Sequence, residues 1–336
     1  MDGLITSISN IIIDYAAGEF GQLDEAHVRR WIAQFDEDDQ EVILAETNRI
    51  LKRTYITKDK FTAFISGLVS SKKFTGNDSR DFWSQVSLCD IQINGHSQRE
   101  LVTLLSNTVF EQFEIRPNIN QDSEHHIYVD DFLFSGDRIK NDLKVWIRDT
   151  APEKFNLSIV LMGFYRLGYW KVKQELENFA KSLNKNMTLD VWSIENLRLE
   201  NRLFNKNISH IFWPDESIMQ IPSVNAYINE QECTPQFRVV NNLKNNIFSV
   251  DRRTQYEHAM TKAGIKIRGY CREPSRIMKP LGYSTFKGFG FGGTVFSYRN
   301  CPNNAPLAFW WGNPKYPDAD HPFRQWYPLM QRKTYD

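Results

Sequence analysis

Two adjacent carboxylates, Asp130 and Asp131, follow the apolar run His126-Ile-Tyr-Val129 and precede Phe132-Leu-Phe134 and Ser135-Gly136. A short apolar run bounded by polar residues reads as a buried strand, which sets the acids at its carboxyl end. Paired carboxylates in that position accept hydrogen bonds from sugar hydroxyls, directly or through a hard cation such as magnesium. Ser135-Gly136 turns the chain into a helix. A helix N-terminus aims backbone N–H groups at an anion, and a glycine lets a phosphate approach that backbone closely. Asp137 opposes an anion there, whereas Arg138 offers it a charge-assisted contact. The loop candidates are Asp130 and Asp131 as catalytic pair and indirect magnesium ligands, with Phe134, Ser135, Gly136, Asp137 and Arg138 for ligand and phosphate. An apolar strand ending in two acids is common, and by itself is as often structural as functional.

A second anion site is expected upstream, at Ile93-Asn-Gly-His-Ser-Gln-Arg99. Gly95 and the following helix N-terminus suit an anion, and His96 and Arg99 add positive charge. Ser97 either joins them or simply caps the helix. His96 alone is no sign of acid–base chemistry.

The elements that must hold these residues are legible from periodicity. Residues 1–75 read as a helical N-terminal subdomain: Val28, Trp31, Ile32 and Phe35 recur at helical spacing, as do Ile43, Ile50 and Leu51, then Phe61, Phe64, Ile65 and Leu68. Asp36-Glu-Asp-Asp39 and Thr57-Lys-Asp59 are the breaks between them. Residues 76–336 read as an α/β domain with an irregular C-terminal wrap. Its strands are Val86–Ile93, His126–Val129, Asn156–Gly163 and Met187–Trp192, and its helices Gln98–Phe113, Arg138–Arg148 and Tyr169–Leu183. Alternating strands and helices imply a parallel sheet flanked by helices. Beyond residue 200 the signal weakens, with helices expected at Ser217–Tyr227 and Arg252–Ala263. The tail, rich in proline and aromatic residues, cannot form long helices and reads as an extended cover over a core, or as a platform for a base.

Composition excludes the extremes. Lys plus Arg and Asp plus Glu number 41 each, giving zero formal charge, so wholesale binding to nucleic acid or membrane is not expected. Cys89, Cys233, Cys271 and Cys301 form no Cys-x-x-Cys pair. Scattered thiols, and a start with no basic leader region, point to the cytoplasm.

The Asp130–Arg138 loop resembles the phosphoribosyl diphosphate loop of type I phosphoribosyltransferases: four apolar residues, two acids, three variable residues, then Thr-Gly-Gly-Thr. Here Asp137 and Arg138 stand where that pattern has its second Gly and final Thr. The whole chain is similar to phosphoribosyltransferase-like proteins of bacterial antiphage conflict systems, including those encoded beside retron reverse transcriptases. The Asp-Asp loop, the Gly95-His-Ser-Gln-Arg99 turn, and the tail elements Pro302-Asn-Asn-Ala-Pro-Leu307 and Trp326-Tyr-Pro-Leu329 carry the likeness. It implies a type I phosphoribosyltransferase-like fold, a phosphoribosyl or nucleotide ligand with magnesium, and a part in antiphage defence. Two functions stay open: an enzyme of glycosyl transfer or cleavage at ribose C1, and a non-catalytic module. The module would sense a nucleotide, or would bind a reverse transcriptase with its non-coding RNA–DNA product.

Tyr128-Val-Asp-Asp131 also matches the metal-binding motif of reverse transcriptases, but the helical stretch before Phe82 is too short and of the wrong period for the regions a polymerase needs there, and a helix follows Ser135-Gly136 where a polymerase hairpin would run straight on. Tyr283–Gly293 has glycines without a P-loop's Lys-Ser/Thr, and reads as a tight loop or lid. Arg252-Arg253 and Lys262–Lys279 form the most cationic stretch, either a solvated face or a partner contact.

Overall fold

Leu157, Ile159, Val160, Leu161 and Met162 are all buried, so one strand of the chain is apolar on both faces. Such a strand is stable only at the centre of a parallel sheet covered on both sides, and that is where it lies. The computed structural model describes residues 1–93, 97–201, 208–231, 234–241, 245–285 and 287–333. The sheet comprises β1 (Ser87–Cys89), β2 (Asn118–Ile119), β3 (His125–Leu133), β4 (Lys154–Tyr165), β5 (Asn186–Ser193) and β6 (Arg198–Leu199). Between them run helices α1 (Ser97–Phe113), α2 (Asp137–Asp149) and α3 (Arg166–Ser182). The order is β2-β1-β3-β4-β5, with β6 on the far end of β4, and every pairing is parallel. The chain steps outward from β1 to β2, then returns past β1 to β3. At such a reversal open α/β sheets bind ligands in the crevice outside the strand ends, here the carboxyl ends of β1 and β3.

Two of the strand bounds that differ from expectation shape the site. β1 stops at Cys89 rather than Ile93, because side chains take over its backbone donors: Asn120 Oδ1 accepts from Asp90 N, and Gln98 Oε1 from Ile91 N and Gln92 N. β3 runs past the acids to Leu133, pairing Phe132 with Gly163 and Leu133 with Phe164. Its β1 side is paired only as far as Tyr128. Asp130 and Asp131 therefore lie on a stretch held by β4 alone. β2 and β6 are too short to be read from periodicity.

A hydrophobic cluster of Leu143, Trp146, Ile147, Phe155, Leu157, Leu176 and Leu189 fills the space between α2, α3 and the sheet. The first turn of α3 presses on the loop after β3. A Cβ added at Gly168 would lie 2.1 Å from the Phe134 carbonyl oxygen, so only glycine permits that approach.

The N-terminal stretch is helical as read, in Asp2–Ile11, Glu25–Ile32, Glu37–Thr54 and Lys58–Val69. The chain forms two compact units. One unit is Asp59–Leu199, and the other joins Met1–Lys58 to Glu200–Thr334. In the second, Trp31 donates to Ala308 O and stacks on Phe309, Phe35 meets Trp326 edge to face, and Tyr15 donates to Gln331 O. The aromatic tail is thus core cover: Trp310, Trp311 and Trp326 are buried and offer no platform for a base. The glycine-rich segment is tied to the same core, with Leu281 N donating to Phe289 O and Gly293 N to Asn304 O. The helix expected to end at Ala263 runs Arg253–Tyr270, and a short turn, Glu216–Gln220, precedes the helix Pro222–Glu230. Among the described residues, no helix is long and apolar enough to cross a membrane.

Gly168→Ala should lower the unfolding free energy by about 1–3 kcal/mol, the cost of forcing an extra methyl against fixed backbone. Urea unfolding of the full chain measures it, and a variant as stable as the parent would show that α3 does not constrain the Phe134 loop.

Candidate functional site

The site begins with the alternation of β3. Tyr128 and Asp130 project on one side, toward α2, and both are buried. Asp130 is only 1% exposed, and its carboxylate is straddled by a single nitrogen, Arg138 Nη2, at 2.5 Å from Oδ1 and 2.6 Å from Oδ2. Oδ1 also accepts the Asp131 backbone N–H at 2.8 Å. Two residues earlier on β3 and one turn later on α2, Tyr128 donates to Asp142 Oδ2 at 3.3 Å. Asp142 Oδ1 in turn accepts Ile93 N at 3.3 Å. The β3–α2 contact is therefore a two-rung polar ladder inside an apolar layer.

Electrostatics follow from burial. Desolvation pushes the Asp130 carboxyl above the usual carboxylate range, opposed by the Arg138 charge and reinforced by Asp131. Asp142 is raised by burial too, against its bonds to Ile93 and Tyr128. The Tyr128 hydroxyl is pushed well up by burial, then by Asp130 and Asp142.

The turn between strand and helix has the expected form. Phe132, Phe134 and Tyr165 pack as an aromatic trio with centroids 4.9–5.7 Å apart, fixing the loop against β4. Gly136 is left-handed at φ +81°, and serves as the N-cap of α2 with no side chain to cap the first turn. Ser135 Oγ accepts Asp137 N at 3.4 Å, a weak contact. Asp137 is exposed and paired with Lys140 at 3.0 Å. Ser135 and Arg138 are exposed at the same mouth, and Asp131 is half-buried.

Sequence reasoning singled out Gly95, His96, Ser97 and Arg99 for the upstream anion site. Gly95 and His96 lie outside the described residues; Ser97 opens α1, and its side chain is likewise outside them. Arg99 is paired with Asp90 at 3.0 Å. The residue that organises this turn is Gln98, which was not on the list. Its Oε1 accepts Ile91 N and Gln92 N, its own N–H donates to Gln92 Oε1, and its side chain is buried, with Nε2 lacking a partner among the described residues. A glutamine in the first turn of a helix, able to bond back to the preceding chain, was the available signal. Asp142 and Tyr128 were also missed, because a lone acid in a helix and a strand tyrosine carry no spacing signature.

Magnesium, implied at the acid pair, fits Asp130 poorly in this arrangement. Both oxygens face a guanidinium, and burial bars the waters that this cation keeps in its shell. Among the described residues, no three His, Cys, Asp or Glu side chains converge on a common metal position.

The family model described as PRTase-CE matches residues 28–332 of this chain. No curated protein and no solved structure matches it.

A carboxyl held above its ordinary value in the fold contributes stability that is complete below the unfolded pKa and lost as pH rises through the raised one. The urea midpoint of the parent should therefore fall relative to Asp130→Asn as pH increases from about 4, the ordinary aspartate value. A difference that stays constant with pH, or a parent that gains, would mean that Arg138 outweighs burial at this carboxyl.

Proposed function

We propose that this chain, which belongs to the PRTase-CE family of phosphoribosyltransferase-like proteins, binds a phosphoribosyl or nucleotide ligand at the carboxyl ends of β1 and β3. One observation carries the reading. Asp131, on a stretch of β3 with no strand on its β1 side, lies a few residues before the left-handed Gly136 that opens α2. The half-buried carboxylate accepts the ribose hydroxyls, and the uncapped first turn of α2 with Ser135 receives the 5′-phosphate. Arg138, exposed at the same mouth, adds charge to that phosphate. If bond breaking follows, it is glycosyl transfer or cleavage at ribose C1, driven by positioning and electrostatics rather than by a protein nucleophile.

A second reading, a non-catalytic nucleotide sensor, is favoured by one feature. Asp137 places a carboxylate in the first turn of α2, where it competes with a diphosphate, and Lys140 neutralises it only in part. Either activity serves the role that the sequence resemblance suggests: an effector or accessory protein of antiphage defence, working in the cytoplasm with a reverse transcriptase and its RNA–DNA product.

Calorimetry of the full chain with phosphoribosyl diphosphate, ribose 5-phosphate and nucleoside monophosphates tests the ligand reading. Binding is expected, and Asp131→Asn should weaken it by about ten- to a hundredfold, the value of one charge-assisted hydrogen bond or two. Silence from every ligand sinks the proposal. Product analysis of the same mixtures separates turnover from sensing, and loss of phage protection in the folded Asp131→Asn variant ties the site to defence.

A further inference from the structure

We infer that Arg138 is the built-in counter-cation of this site, so that a ribose phosphate is held there without magnesium. The inference rests on the ligand reading above and specifies its chemistry.

A carboxylate that is 1% exposed must be neutralised where it sits, and Arg138 Nη2 does so across both oxygens. Magnesium would need room for near-octahedral geometry and several retained waters, which a carboxylate that is 1% exposed and bonded at both oxygens does not provide. To reach Asp130 the metal would have to expel Arg138, whose charge cannot be removed by deprotonation. The Arg138 side chain is 45% exposed, and among the described residues only its Nη2 bonds to the protein. Its remaining N–H groups, Nε and Nη1, are donors free to meet a phosphate oxygen. The residue thus links a buried anion to an incoming one, the bridging role that magnesium fills between carboxylates and phosphate elsewhere. Its position at the start of α2 makes this geometric, because the backbone that presents Arg138 is the same turn that receives the phosphate.

Two measurements on the full chain test this. Ribose 5-phosphate is titrated by calorimetry in EDTA and in magnesium chloride, and Mn2+ uptake by the ligand-free protein is followed by electron paramagnetic resonance. The parent should bind ribose 5-phosphate equally in both buffers, within about twofold, and take up no Mn2+. Arg138→Met should bind about tenfold or more weakly in EDTA, and should gain an Mn2+ site that the double variant Asp130→Asn/Arg138→Met lacks. Should Arg138→Met fail to fold, Arg138→Lys keeps the charge, and is expected to remain indifferent to EDTA. A parent that loses binding in EDTA, or that takes up Mn2+ in a manner abolished by Asp130→Asn, overturns the inference. If ribose 5-phosphate binds in neither buffer, the ligand reading fails, and Mn2+ alone decides: refusal by the parent with uptake by Arg138→Met supports Arg138 as counter-cation, and any other pattern refutes it.

Discussion

The ion pair between Asp130 and Arg138 sets the terms for the rest of the site. An ionised carboxylate inside a parallel sheet is costly unless a partner is held against it, and breaking such a pair is worse than never forming it. The partner must come from the element that follows the strand, so the turn between them is constrained in length and handedness. Gly136 meets the constraint with a left-handed backbone, turning the chain so that the first turn of α2 brings Arg138 over Asp130. The open helix end that can receive a phosphate is a by-product of that same turn.

The second rung of the ladder extends the constraint to the neighbouring loop. Asp142, one turn along α2 from Arg138, accepts from Tyr128 on β3 and from Ile93 in the loop after β1. Gln98 grips the same loop from the other side through Ile91 and Gln92. A shift of α2 that moved Arg138 would therefore pull on both loops that border the crevice. The coupling needs no distant network: it passes through one aspartate and one glutamine.

The periodic parts of this chain were legible and the singular ones were not. β4 and α2 announced themselves because burial on both faces, or on one helical stripe, repeats a residue type at a fixed interval. The acid pair and Ser135-Gly136 were legible because strand, turn and helix grammar converge on them. β2 and β6 were invisible, since two residues carry no period. Gln98 and Asp142 were invisible for another reason: their importance lies in whom they bond to, and the spacing of seven residues from Ile91 to Gln98 or of forty-nine from Ile93 to Asp142 has no sequence signature. The tail's pairing with Trp31 and Phe35 was equally unreadable, because aromatic residues state that they will be buried and not against what.

Charge was a weaker guide than periodicity, because basic residues near one another in sequence serve different ends. In the most cationic stretch Arg253, Arg268 and Lys279 are buried, whereas Arg252, Lys266, Arg272 and Arg276 are exposed. Arg253 binds Glu257, Ser209 and Ile211 with all three of its nitrogens, and Arg238 is clasped by Glu257, Asp215, Thr254 and Trp213 O. Lys262 is paired with Asp36 and Asp39, and Arg268 bonds the carbonyls of Ser275 and Met278. Buried and bonded through two and three of their nitrogens respectively, the guanidiniums of Arg238 and Arg253 close a fold. Arg138 makes a shorter contact with a buried acid, through one nitrogen, and its side chain is exposed. Chain-wide neutrality hides this difference, because net charge counts both kinds alike. Exposure separates them: the Arg138 side chain is 45% exposed, whereas those of Arg238 and Arg253 are 6% and 7% exposed.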